Sequence, residues 1–313
     1  MDPGYRELLI KQQYRLHNDH AAVKLCHWMR QSLIYGRNCY KQDFYGIESH
    51  RCLQMTPAVN ECDHMCQFCW RVQGHDFEVK EWTEPKELLD SLIMHQRKLL
   101  TGFNGDDRCS AEKYERSKEP NMVAISLAGE PIVYPYLSEF IKECHNRKMI
   151  TFMVTNGTYP DELEKLDTLP RQLYVTVAAP NEEIYKKVCR PKIADGWERL
   201  MRTLHSFPSL DTRTVVRHTL VKDLNLGWAD EYARLDRIAD PDLIEPKGYV
   251  FVGGSRTRLS MTNMPSHDEV IQFSEQLCER LGLSILKEKS DSRVTLLGVP
   301  GIETNVRELY GIN

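Results

Sequence analysis

Three cysteines, Cys62, Cys66 and Cys69, stand in one stretch with the spacing C-x3-C-x2-C. A single loop of that spacing can turn three thiolates to three corners of an iron–sulfur cube and leave the fourth iron open. Structural zinc takes four protein ligands, and no second Cys-x2-Cys or Cys/His pair stands nearby to complete a set, although His64 lies within the loop. Whatever this chain folds into must present that loop at one place, with room beside the open iron for a small chelating molecule.

The chain has 313 residues and ten cysteines, six of them within the first 69 positions. The N-terminus mixes acids and bases with no uninterrupted apolar core, so no secretory signal is expected. The longest apolar runs, such as 123–128, fall far short of the roughly 18–20 residues a membrane span needs. A cytoplasmic protein follows as the expectation. Thiols stay reduced in that compartment, which favours metal binding over disulfides. A formal net charge of −4 lends no chain-wide basic character, so a nucleic-acid partner would have to be held by a local patch.

Hydrophobic periodicity predicts two N-terminal helices, over 5–16 and 23–35, and a long helix over 85–103 with Pro85 in its first turn. Strand-like runs follow at 122–127, 149–154, 173–178, 214–221 and 248–252, with helices between them at 136–147, 181–188, 195–207 and 228–239. Residues 52–56, just ahead of the clustered cysteines, make a sixth strand. Alternating strands and helices imply a parallel sheet. Six such units predict an α/β fold, an incomplete (β/α)6 TIM-type barrel with an N-terminal helical extension, active at the C-terminal ends of its strands. A helix over 270–281 and a strand pair at 283–287 and 293–297 would close the chain, and the polar stretch 105–121 reads as a surface insertion or short helix. The expected divisions are 1–44, an extension; 45–290, the barrel; and 291–313, a terminal strand and tail.

The cysteine loop, with Phe68 just before its third thiol, resembles that of radical S-adenosylmethionine (SAM) enzymes. In that superfamily one electron from the reduced cluster cleaves the sulfonium and releases a 5'-deoxyadenosyl radical. Two further elements fit the resemblance. Ser126-Leu-Ala-Gly129-Glu130-Pro131 matches the turn that hydrogen-bonds the methionyl amino group, with Ala128 in place of its first glycine. Thr155-Asn156-Gly157 is a second turn whose amide could reach the cofactor. Taken alone, each is also an ordinary turn.

Cys26, Cys39 and Cys52 are 13 residues apart each time, a spacing that no single loop or helix face requires; by itself it is equally compatible with three buried structural cysteines. Together with Asn60-Glu-Cys62-Asp-His-Met-Cys66-Gln-Phe-Cys69-Trp70-Arg71 and the segment 249–256, however, they resemble the tRNA 4-demethylwyosine synthases of wyosine and wybutosine formation. The resemblance implies a second [4Fe-4S] cluster on Cys26, Cys39 and Cys52. It also implies a lysine, Lys41, that holds pyruvate as a Schiff base, with direct coordination of pyruvate by the auxiliary cluster as the other way of holding it. No Gly-rich flavin-binding segment precedes Cys26, as expected of the short, archaeal-type form without a flavodoxin-like domain.

The implied reaction condenses pyruvate with N1-methylguanosine at position 37 of tRNA-Phe. Hydrogen abstraction from the N1-methyl group is followed by attack on the pyruvate carbonyl, loss of the carboxylate carbon and ring closure by the exocyclic amine. A monomer supplied by an unidentified one-electron donor is expected. RNA would need basic and stacking side chains; the candidates are Trp70, Arg71, Arg256 and Arg258, and after them Arg213, Arg217 and His218. Two other readings remain: a radical SAM enzyme acting on a protein or small molecule, and a two-cluster electron carrier.

Overall fold

The computed structural model describes residues 1–59 and 61–312; Asn60, part of the motif quoted above, and Asn313 lie outside the described residues. The chain opens with α1 (Pro3–Lys11), a hairpin of β1 (Arg15–His17) and β2 (Ala21–Val23), then α2 (His27–Tyr35) and α3 (Tyr40–Tyr45). The barrel proper follows as β3 (Cys52–Thr56), α4 (Pro85–Leu100), α5 (Ala111–Ser117), β4 (Met122–Ile125), α6 (Leu137–Asn146), β5 (Ile150–Thr155), α7 (Pro160–Glu164), β6 (Gln172–Thr176), α8 (Glu182–Cys189), α9 (Gly196–Ser206), β7 (Arg213–Leu220), α10 (Ala229–Ala239) and β8 (Leu243–Gly248). It ends with α11 (His267–Leu281), β9 (Ser284–Lys289), β10 (Val294–Gly298) and α12 (Val306–Leu309).

Strands β3 to β8 pair in parallel and in chain order, the arrangement of six consecutive βα units. Antiparallel β2 and β1 extend the sheet beyond β3, and antiparallel β10 and β9 extend it beyond β8. Both faces of the parallel strands are buried, which is why they read as continuous apolar runs. On the outer face Leu53, Val123, Met153, Val175 and Val216 pack under the helices. On the inner face Met122, Ala124, Phe152, Tyr174 and Val215 form a second core, and α3 fills it with Tyr40, Phe44 and Tyr45.

Two expectations change. The N-terminal helices are shorter than predicted, because a hairpin separates them. Gln13 and Asn18 adopt positive φ there, and buried His20 ties the hairpin to the barrel through the Pro57 carbonyl and the Thr83 hydroxyl at 2.7 and 2.9 Å. The last parallel strand runs over 243–248, so most of the predicted run 248–252 lies beyond it. Pro246, which cannot donate to a ladder, sits inside this strand and disguised it. The polar stretch 105–121 holds a short helix, α5, capped by Ser110, one of the two forms expected of it.

Candidate active site

The loop after β3 carries Cys62, Cys66 and Cys69. It is clamped to the end of α8: the amides of Met65 and Gln67 donate to the carbonyls of Cys189 and Val188 at 3.1 and 2.9 Å, and the Lys192 amide donates to the Asp63 carbonyl at 2.7 Å. From the other side the Arg258 guanidinium reaches the carbonyls of Gln67 and Cys69. Burial, then the Cys66 thiol and the Glu130 carboxylate, push the Cys62 thiol well above its ordinary range, burial raises Cys69, and a hydrogen bond with Cys189 leads the causes that raise Cys66. Thiols held protonated in this way become ligands only as a metal displaces their protons. The donor set of three thiols in one loop beside an open space fits a cubane with one free iron.

That space is a cavity of about 730 Å³, within the range that takes a cofactor-sized ligand. It is bounded by the cysteine loop with Phe68, Trp70 and Arg71, and by Ser126, Gly129, Glu130 and Asn156 at the C-terminal ends of β4 and β5. Gly129 has φ +63°, and a Cβ there would lie 1.7 Å from the Ala58 carbonyl oxygen, so only glycine fits. The turn delivers Glu130, a fully buried carboxylate that accepts from the Asn156 amide at 2.8 Å and the Ile132 amide at 3.3 Å. No cation lies within ion-pair distance of it among the described residues. Burial raises its pKa to about 8, as expected of a carboxylate taken out of water with no cation beside it. Asn156 also donates through Nδ2 to Asp63 at 2.6 Å and lies 3.9 Å from Cys62 Sγ. The turn after β5 is thereby tied to the cysteine loop.

The second cysteine group is assembled from separate elements: Cys26 caps α2, Cys39 caps α3, and Cys52 opens β3. Burial raises all three thiols; the Cys26 thiol adds to the rise at Cys39, and Cys26 and Cys39 both add to it at Cys52. Lys41, in the first turn of α3, points its amine over Phe152 and Tyr174, 4.7 and 4.9 Å from the ring centroids. Burial lowers its pKa, and Arg217 adds to that.

Sequence reasoning missed the charged floor around this amine. Glu245 is fully buried and accepts from Tyr40 Oη at 2.9 Å, Tyr45 Oη at 2.8 Å and Arg217 Nε at 2.8 Å. Lys247 donates to the Ser292 carbonyl at 2.9 Å, and burial lowers its pKa to about 8. The signal was present as Glu245 and Lys247, two positions apart in an apolar run, but it is readable only once the strand is placed at 243–248.

The remaining RNA candidates separate. Arg71 stacks on Trp70 at 3.6 Å on the cavity wall and donates to the Ser126 carbonyl at 2.6 Å. Arg256 is exposed, over the Phe251 ring at 5.4 Å. Arg258 is turned inward to the cysteine loop, and Gly253 and Gly254 pack so closely on the Trp70 and Arg71 carbonyls that a Cβ at either would clash. Arg213 and His218 are buried, bonded to the Glu303 carbonyl and to Asp236. Arg217 faces the barrel interior. None of these three is a surface contact.

Residues 56–235 match the radical SAM superfamily, and residues 238–299 match the family described as wyosine base formation. The S-adenosyl-L-methionine-dependent tRNA 4-demethylwyosine synthase of Pyrococcus abyssi is 48% identical over 298 residues, which cover 93% of this chain and 87% of that one. The enzyme of that name from Methanocaldococcus jannaschii is 38% identical, with 93% and 94% covered. A solved structure described as TYW1 with a lysine-pyruvate adduct bound superposes with a TM-score of 0.90 at 36% identity, covering 98% of this chain and 99% of its own. Likeness of this extent, over nearly the whole chain, means that the chain belongs to the tRNA 4-demethylwyosine synthases, radical SAM enzymes that modify tRNA with a [4Fe-4S] cluster and S-adenosylmethionine.

Proposed function

We propose that this chain condenses pyruvate with N1-methylguanosine at position 37 of tRNA-Phe to form 4-demethylwyosine. The observation that carries the reading is the amine of Lys41, held over two aromatic rings beside the thiols of Cys39 and Cys52. The relative with TM-score 0.90 is described as holding a lysine-pyruvate adduct. Two lysines reach the barrel floor here, and Lys41 is the better nucleophile. Its amine makes no hydrogen bond or ion pair among the described residues, whereas Lys247 donates to a carbonyl. Attack by the neutral amine forms the Nζ–C2 bond of an imine, and the pyruvate carbonyl oxygen leaves as water with both amine protons.

Cys62, Cys66 and Cys69 would hold the cluster that passes one electron to the sulfonium of SAM, the source of the hydrogen-abstracting radical. Glu130 accepts from the methionyl ammonium, Ser126, Gly129 and Asn156 shape that end of the site, and Phe68 walls it. Cys26, Cys39 and Cys52 would hold a second [4Fe-4S] cluster, two of its three ligands coming from the extension 1–44 and the third from the body 45–290, on which 291–313 packs. Trp70, Arg71 and Arg256 are the RNA contacts, with Arg258 bracing the loop that carries the first two. The enzyme acts in the cytoplasm as a monomer, fed by an external one-electron donor.

The test is anaerobic reconstitution with N1-methylated tRNA, pyruvate and reductant, followed by nucleoside mass spectrometry. The tricyclic nucleoside is the expected product. Cleavage of SAM with no tRNA product would favour another substrate, and no cleavage at all would revive the electron carrier.

A further inference from the structure

Three cations from three elements meet on the barrel floor: Lys41 from α3, Arg217 from β7 and Lys247 from β8. They share aromatic partners. Arg217 Cζ stands 4.4 Å from the centroid of Tyr174, the ring that also faces Lys41. Lys247 Nζ stands 4.7 Å from the centroid of Tyr40, whose hydroxyl accepts from Arg217 Nη2 at 3.0 Å. Against them the chain sets one carboxylate, Glu245, and its oxygens are already taken by Arg217, Tyr40 and Tyr45.

Lys247 is therefore left without an anion. Its ammonium has one hydrogen bond, to the Ser292 carbonyl, and no carboxylate lies within ion-pair distance among the described residues. Arg217 Nη1 is likewise engaged by no hydrogen bond among them. Both side chains line the cavity, together with Thr176 at the end of β6 and Thr219 near the end of β7. Arg217, Lys247 and Glu245 sum to one formal positive charge, the complement of a single small carboxylate. A half-buried ammonium is costly to keep without a partner, and a charge-assisted bond to a carboxylate would offset that cost.

We propose that Lys247 Nζ, with Arg217 Nη1, binds the carboxylate of the 2-oxo acid whose carbonyl carbon Lys41 takes up. The inference rests on the Lys41 reading above and adds the group that selects an acid over a neutral ketone. Glu245 and its two tyrosine donors position Arg217, while Lys247 supplies the unpaired charge.

The test uses reconstituted holoenzyme and borohydride trapping of labelled pyruvate, read as the pyruvate concentration giving half-maximal label at Lys41 by peptide mapping. Lys247→Met, which keeps length and deletes charge, should raise that concentration about ten- to a hundredfold. Lys247→Arg, which keeps the charge, should stay within about threefold of wild type. With methyl pyruvate, whose carboxylate is esterified, wild type and Lys247→Met should trap alike. Equal pyruvate dependence in wild type and Lys247→Met would overturn the proposal, as would a defect of the same size with the ester. A Lys247→Met chain whose defect lay in SAM affinity, measured in parallel, would assign the ammonium to the cofactor's carboxylate and also overturn it. Absence of label at Lys41 in wild type would instead sink the Lys41 reading, and this inference with it.

Discussion

Arg217 and Glu245 lie opposite each other on β7 and β8, guanidinium Nη2 to carboxylate Oε1 at 2.6 Å, with the carboxylate wholly out of solvent. Removing one partner of a buried pair leaves an uncompensated charge, at a cost of roughly 3–5 kcal/mol. Glu245→Leu should therefore destabilise the chain by about that much in urea unfolding. Arg217→Met/Glu245→Leu should recover much of the loss, because neither member of the pair is then left without the other. A double variant as unstable as the sum of the two singles would mean that the pair does not act as a unit.

Two cysteine groups on separate elements should hold about eight irons per chain, four in each cubane. Replacing Cys62, Cys66 and Cys69 with alanine should leave about four, with the Mössbauer signature of one [4Fe-4S] cluster. Complete loss of iron in that triple variant would show that Cys26, Cys39 and Cys52 are not an independent site.

Glu130→Gln should weaken SAM binding about ten- to a hundredfold, since it removes the charge from one charge-assisted hydrogen bond; unchanged affinity by equilibrium dialysis would remove Glu130 from the cofactor site. The same carboxylate predicts a pH dependence. Its pKa in the fold, about 8, lies above the ordinary value of 4.5, so the fold holds a proton that the unfolded chain releases between those values. The stabilising contribution is complete below about pH 4.5 and is lost as pH rises toward 8. Cofactor-free wild type should lose stability across that window, and Glu130→Gln should lose less. Parallel melting curves at pH 5, 7 and 9 check this.

Lys41→Ala should keep both clusters and still cleave SAM, because neither task needs that amine, yet yield no tricyclic nucleoside. Arginine should not rescue it, since a guanidinium stays protonated and cannot attack a carbonyl. Wild-type product from Lys41→Ala would shift the holding of pyruvate to the auxiliary iron.

What could be read without coordinates was whatever is local in the chain. Cys62, Cys66 and Cys69 belong to one loop, so their spacing alone states their joint chemistry. The βα alternation states the barrel because most of its parallel strands, such as β4 and β5, are apolar on both faces. Gly129 and Glu130 were legible as a turn, whose requirement for glycine the Ala58 carbonyl then explains. The hairpin between the first two helices was hidden by short strands that are held by tertiary contacts of His20, and β8 was hidden by its own Pro246.

The barrel floor was decided by the tertiary structure alone. Tyr40 and Glu245 are 205 positions apart, and Arg217 meets Glu245 only because β7 and β8 pair in one particular register. A shift of one residue would turn those side chains to the opposite face. Cys26, Cys39 and Cys52 likewise converge through two helix starts and a strand start, which no periodicity records. Local spacing encodes a loop's ligands because the chain itself fixes their distance; a site built across strands exists only once the sheet has chosen its register.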